Sequence, residues 1–256
     1  MGNGIPVSTQ WTRDAVSNSN QRQVVDSAYM ITTVNGSKGS GFLLENGYVV
    51  TNRHVIDGCP VVGIFGTSSR GERIAFSDCT LGTKRDLAFL EPATDLSGGL
   101  SLTNSNDIEI GSRVETWGYP LGHGGPSPLL SVGYLSGFDQ SQSGVKQLVV
   151  NGAFNNGNSG GALFLQGSEE VIGVVVAKHA PLTPFQQSAI DVLQQQQSGF
   201  MYTATDEAGN EHQFSEGQIV GDVLEGFKQL TQVMIGYAID SAEVDQFLEE
   251  RQMSRT

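Results

Sequence analysis

Positive charge is scarce in this 256-residue chain, where 14 Lys and Arg stand against 27 Asp and Glu, a formal net charge of −13. Phosphate backbones and anionic membrane surfaces are held by clustered cations, so the balance argues against nucleic acid and membrane as partners. No stretch approaches the roughly 20 consecutive apolar residues that a bilayer span needs. Cysteine occurs twice, at Cys59 and Cys79, and a chain of this length buries a full core without disulfide staples. Met1 to Val7 shows no basic region leading into an apolar stretch. The expectation is therefore a cytoplasmic protein with two buried, reduced thiols, a mature secreted form staying open. Helical periodicity is also sparse before residue 180. Glycine, by contrast, is plentiful at 33 residues, which together predicts many short strands joined by tight turns.

Those strands read as two sets. Runs at 27–36, 39–44, 48–54, 60–66, 72–80 and 87–90 suffice for one six-stranded barrel, and runs at 112–118, 129–138, 146–154, 161–165, 171–179 and 233–239 for another. Closed sheets leave no edges for other chains to pair with. The prediction is a mostly β protein of two six-stranded antiparallel barrels, residues 27–96 and 108–240, divided in the polar stretch 97–107. Residues 181–232 interrupt the second barrel as a helix, a hairpin and a helix. Thr183-Pro184 opens the first helix, with Phe185, Ala189, Ile190 and Leu193 on one stripe. A hairpin turns at Gly209-Asn210, and Ser215 with Gln218 forms a capping box ahead of Val223, Leu224, Phe227 and Leu230. Asp240-Ser241-Ala242-Glu243 starts a C-terminal helix within 241–256, carrying Val244, Phe247 and Leu248. The whole chain reads as one functional domain without internal repeats.

Chemistry concentrates in three places: Thr51-Asn52-Arg53-His54-Val55, Arg85-Asp86-Leu87-Ala88-Phe89 and Asn156-Gly157-Asn158-Ser159-Gly160-Gly161. A serine hydroxyl is a poor nucleophile until an imidazole takes its proton and a third group fixes that imidazole's tautomer. His54, Asp86 and Ser159 supply those three groups, and the glycines around Ser159 allow backbone N–H groups to approach an oxyanion. Asp57 and Asp78 are the weaker alternatives to Asp86. His123, His179 and His212 read as structural or solvated. Gly157-x-Ser159-x-Gly161 also fits the nucleophile elbow of α/β-hydrolase esterases, with Asp191 and His212 downstream. That fold needs a helix after the serine, whereas Ala162-Leu163-Phe164-Leu165 is strand-like.

Six ordered segments carry a family resemblance: Gly39 to Leu44, Tyr48 to Val55, Asp86 to Ala88, Gly118 to Gly122, Gly157 to Leu163 and Ile235 to Ile239. In these the chain resembles chymotrypsin-fold serine peptidases, and among them the HtrA-like (DegP-type) proteases without a PDZ module. The resemblance implies a serine endopeptidase that needs no cofactor or metal and acts on protein or peptide substrates. It implies His54 as general base, Asp86 as its orienting group, Ser159 as nucleophile, and the N–H groups of Gly157 and Ser159 as oxyanion hole. It also implies a specificity pocket with uncharged Ala153 at its base, lined near Lys178, His179 and Gly236, suited to small or medium apolar residues. The chain departs from the pattern in places. Asn158 stands where digestive relatives carry an aspartate that pairs with a cut N-terminus, and Val175-Val176 replaces a Ser or Thr that supports the triad aspartate. The insertion 181–232 is either a packed decoration, a gate over the cleft or the dock of a regulatory partner. A catalytically silent binding module on the same fold is the competing reading.

Overall fold

The computed structural model describes residues 11–12, 14–16, 19–154, 156–176, 184–206, 209–230 and 235–253. Helix α1 (Ser19–Ser27) leads into β1 (Ala28–Thr33), β2 (Lys38–Leu43) and β3 (Val49–Thr51). A four-residue helix α2 (Arg53–Ile56) and a 3-10 turn (Val61–Gly63) precede β4 (Ile64–Ser68), β5 (Arg73–Leu81) and β6 (Ala88–Pro92). These six strands close into a barrel in the order β1-β2-β3-β6-β5-β4. The second set is β7 (Arg113–Gly118), β8 (Leu129–Gln140), β9 (Lys146–Gly152), β10 (Ala162–Leu165) and β11 (Val171–Val176), completed after the insertion by β14 (Ile235–Asp240). It closes as β10-β11-β14-β9-β8-β7, and every pairing in both barrels is antiparallel.

The segment between barrels is tied to both. Leu44 bridges Leu100, and Leu102 bridges Val171, so the polar stretch expected to be a boundary is a short splint. Each barrel has its own apolar filling: Ile31, Leu43, Val49, Ile64 and Leu90 in the first, and Val114, Leu148, Phe154, Leu163 and Ile172 in the second. A third cluster joins them, with Phe42, Val50, Leu87 and Phe89 meeting Trp117, Phe164, Val174 and Ile239. Val24 and Val25 of α1 close one part of this seam. The C-terminal helix α5 (Ser241–Glu250) adds Val244 and Phe247. Its predicted cap forms, as the Asp240 side chain accepts from Ala242 N–H at 3.0 Å.

Residues 178–233 form a separate compact unit. Its elements are α3 (Pro184–Gln195), the hairpin β12 (Met201–Thr205) and β13 (Glu211–Ser215), and α4 (Glu216–Leu230). The capping box is reciprocal: Gln218 Oε1 accepts from Ser215 N–H at 2.9 Å while Ser215 Oγ accepts from Gln218 N–H at 3.2 Å. Within the unit Ile190 is buried, and Gly221 lies against Gln194 of α3. The Thr183 capping position and the Phe227 and Leu230 side chains fall outside the described residues.

Two expected strands need correction, and one helix was missed. The strand predicted through 48–54 stops at Thr51, because Val55 and Ile56 are both buried while His54 is exposed, which a helical turn allows and an alternating strand does not. The run at 60–66 begins with the 3-10 turn. Helix α1 went unread, since nine residues with only Val24 and Val25 apolar give no stripe. Both cysteines are free as expected, although half-buried rather than buried. Burial, helped by Asp78, pushes the Cys79 thiol up to about 11.

Phe247 is only 2% exposed, and its ring lies 5.1 Å from that of Phe89. Truncation to alanine opens a cavity in the seam, so Phe247→Ala is expected to cost about 3–5 kcal/mol. In a urea titration this appears as a lower midpoint at an unchanged slope.

Candidate active site

The first barrel supplies the imidazole and the carboxylate. Val55 and Ile56 anchor α2 in the core, which turns His54 outward. Asp86 sits just ahead of β6 and grips His54 at two points. Its Oδ2 is 2.6 Å from His54 Nδ1, and its Oδ1 accepts from the His54 backbone N–H at 2.9 Å. An ionised carboxylate only accepts, so the proton resides on Nδ1 and Nε2 is left as the basic nitrogen. The side chains of His54 and Asp86 are 47% and 36% exposed, so the pair faces solvent.

The loop carrying Asp86 is fixed from several sides. The buried Asn52 donates from Nδ2 to the Asp86 carbonyl at 2.8 Å, and Arg53 reaches the Gly82 carbonyl. Arg85, the neighbour of Asp86, bonds Glu243 at 2.8 Å and Glu250 at 2.9 Å on α5. The alternatives to Asp86 are engaged locally: Asp57 pairs with Arg53, and Asp78 accepts from the N–H of Cys79.

The second barrel supplies the serine. Ser159 lies in the turn before β10, with Gly157 at φ +92° and Gly160 at φ +86°. At Gly160 a Cβ would collide with the Ser40 carbonyl and the Thr51 hydroxyl, so only glycine fits. Val175 carries this turn from behind, accepting from Gly160 N–H at 2.9 Å and donating to Gly161 O at 2.8 Å. The turn docks on the first barrel through Ser40 N–H, which donates to Ser159 O at 2.8 Å. An ideal Cβ on Gly39 would touch both Val55, the residue after His54, and Ser159 O at 3.1 Å. The serine turn and the histidine helix thus meet across Gly39.

Gly157 has a defined peptide orientation. The Asn156 carbonyl accepts from Leu121 N–H at 2.7 Å, and a trans peptide sets C=O and N–H in opposite directions. The Gly157 N–H therefore points away from Leu121. Asn158 is fully buried, with Nδ2 3.5 Å from Ser131 Oγ and Oδ1 lacking a hydrogen-bond partner. A carboxylate at that position would be a buried charge.

The expected pocket residues are placed less uniformly. Ala153 is exposed beyond β9. Gly236 is buried on β14 opposite Val150, with an ideal Cβ 3.2 Å from Phe154. Lys178 and His179 lie outside the described residues. Sequence reasoning passed over Phe154, whose ring fills the space left by Gly133 and Gly152, each 2.7 Å from it as an ideal Cβ. An aromatic next to glycines whose strands pair was the available signal. His123 bonds the Ser127 carbonyl at 2.7 Å, and His212 pairs with Asp206 at 3.1 Å in the hairpin. Strand β10 follows Ser159, where the esterase layout needs a helix. Among those residues no group of three or more His, Cys, Asp or Glu gathers to hold a metal ion.

The Asp86 grip should be visible spectroscopically. A strongly downfield proton is expected in the proton NMR spectrum from His54 Nδ1–H, and Asp86→Ala should remove it.

Comparison with known proteins places this geometry. A family model described as "Trypsin-like peptidase domain" matches residues 39–174. A probable periplasmic serine endoprotease, DegP-like, from Halomonas elongata is 34% identical over 142 residues, 54% of this chain and 29% of that protein. The periplasmic serine endoprotease DegP of Salmonella typhimurium is 30% identical over 151 residues, 56% of this chain and 30% of that protein. The matched chain thus spans less than a third of either relative. Their periplasmic names lend no support to the cytoplasmic expectation; among the described residues no helix is long and apolar enough to cross a membrane. Among solved structures, the HtrA-type protease AlgW with a tripeptide superposes with a TM-score of 0.58 at 21% identity, covering 91% of this chain and 63% of that one. The active form of Rv3671c protease from M. tuberculosis gives 0.59 at 15% identity, covering 92% and 85%. At these identities the structural likeness speaks for the fold.

Proposed function

The chain belongs to the trypsin-like peptidase domain family, and from that premise we propose that it is a serine endopeptidase working through an acyl-enzyme. The observation that carries the reading is the two-point hold of Asp86 on His54, which leaves Nε2 as the basic nitrogen, beside a serine turn docked on the same barrel. In this reading His54 Nε2 takes the Ser159 hydroxyl proton as Oγ attacks the scissile carbonyl. The carbonyl oxygen becomes an oxyanion that receives hydrogen bonds from the Gly157 and Ser159 N–H groups. The imidazolium, stabilised by Asp86, then gives its proton to the leaving amine as the C–N bond breaks. Water deprotonated by the same imidazole attacks the acyl-enzyme and frees Ser159. The chemistry uses this chain's own side chains and backbone throughout.

Ser159→Ala is expected to abolish both peptide hydrolysis and covalent labelling by a fluorophosphonate probe. Asp86→Asn should keep the fold and lower kcat by about 10⁴, the tautomer being wrong. A wild type that never labels would instead favour the silent binding module.

We further propose cleavage after small or medium apolar residues, since Ala153 adds no charge where the family seats its specificity group. Profiling a peptide library with wild type and Ser159→Ala tests this, and a preference for Arg or Lys would overturn it. A regulatory role for the insertion draws support from its compactness as a separate unit and from Phe185, Val192 and Val223, which are large, apolar and exposed. Joining residue 177 to 234 by a short glycine linker should then alter kcat or KM for peptides, and unchanged values of both would overturn a gating role for the insertion.

A further inference from the structure

Ser40 is fully buried on β2, and each of its polar groups is committed to the site. Its N–H holds Ser159 O at 2.8 Å, and its carbonyl accepts from Thr51 Oγ1 at 2.7 Å. The hydroxyl makes two more bonds, donating to Gly157 O at 2.6 Å and accepting from Tyr119 N–H at 2.9 Å. An alanine in this place keeps the backbone bonds and loses the two hydroxyl bonds. Through them one oxygen atom joins the serine turn to the 118–122 loop, and that loop presents the Leu121 N–H that fixes the Asn156 carbonyl. Two residues earlier on the same face of β2, Lys38 reaches the His123 carbonyl just past this loop. With the Asn156 and Gly157 carbonyls both tied, the peptide planes on either side of the Gly157 Cα are anchored. Glycine at positive φ has little steric preference of its own, so this orientation depends on such anchors.

We propose that the Ser40 hydroxyl is a positioning group of the oxyanion hole: by tying Gly157 O to Tyr119 N–H it clamps the serine turn to the loop whose Leu121 N–H orients the Gly157 N–H. The proposal rests on the serine-peptidase reading above. Ser40 never touches substrate; it acts through Gly157 and Tyr119.

The test is Ser40→Ala, with active sites titrated by fluorophosphonate so that turnover is counted per competent molecule. The expected result is a kcat lowered about tenfold to a hundredfold, below the 10²–10³ that losing an oxyanion donor outright costs. KM for peptides should stay within about twofold. Affinity for a peptide aldehyde, which forms a tetrahedral adduct on the serine, should fall by the same factor as kcat. An unchanged kcat and aldehyde affinity, even with a lowered melting temperature, would make Ser40 merely structural and overturn the proposal. If Ser40→Ala does not fold, Ser40→Cys, whose thiol fills the site but donates weakly, is judged by the same criteria. A wild type that neither hydrolyses nor labels would refute the enzymatic reading instead. The crystal structure of the variant then decides on geometry alone, since a Gly157 turn and a Leu121–Asn156 bond identical to those of the wild type would overturn the clamp.

Discussion

The seam between the two barrels is the constraint from which the site follows. His54 and Asp86 come from one barrel and Ser159 from the other, so their spacing is only as well defined as the packing of Phe42, Phe89, Trp117, Phe164 and Phe247 between them. Close-packed side chains resist displacement, and a shift of an ångström at reacting groups costs orders of magnitude in rate. Helix α5 serves this seam twice. Its Phe247 fills the apolar gap, and its Glu243 and Glu250 hold Arg85, the residue beside Asp86.

Backbone approach, rather than side-chain chemistry, sets the composition of the serine turn. Gly160 tolerates no Cβ because the Ser40 carbonyl and the Thr51 hydroxyl lie against it, and Gly157 faces the Tyr119 carbonyl as closely. Ser40 takes part at both places, its carbonyl lying against Gly160 and its hydroxyl bonding Gly157 O and Tyr119 N–H. The first barrel therefore does more than present a histidine: its strand β2 shapes the turn of the second. Asn158 in this turn is sealed in the interior, with Nδ2 3.5 Å from the Ser131 hydroxyl.

Much of this was legible in the sequence because its signals are local. Alternating runs and turn glycines located the twelve barrel strands, and the Ser215–Gln218 box and the Asp240 cap gave two helix starts that the structure reproduces. His54 and Asp86 were found by residue type and order, and the structure brings them together. What stayed hidden depends on tertiary contact. Helix α1 is fixed by Val24 and Val25 entering a seam that sequence periodicity cannot show. The turn at His54 follows from burial of two consecutive residues, and the packing of Gly236 on Phe154 needs strands distant in sequence to pair. Ser40 stood out only as a member of the Gly39 to Leu44 segment, because nothing local reveals that its hydroxyl spans two loops.

Strand β14 lies between β11 and β9, and Val176 pairs with Tyr237 across the base of the insertion. Topologically the insertion is the loop of a hairpin, and lengthening such a loop adds closure entropy only logarithmically. The barrel thus accepts a whole extra unit at this point for little thermodynamic cost. The kinetic cost is larger. During synthesis β7 to β11 emerge first, and until some 58 further residues have followed, β9 and β11 present unpaired edges. The second barrel closes last, around its final strand, and a nascent chain paused within the insertion is the form most exposed to edge-to-edge misassembly.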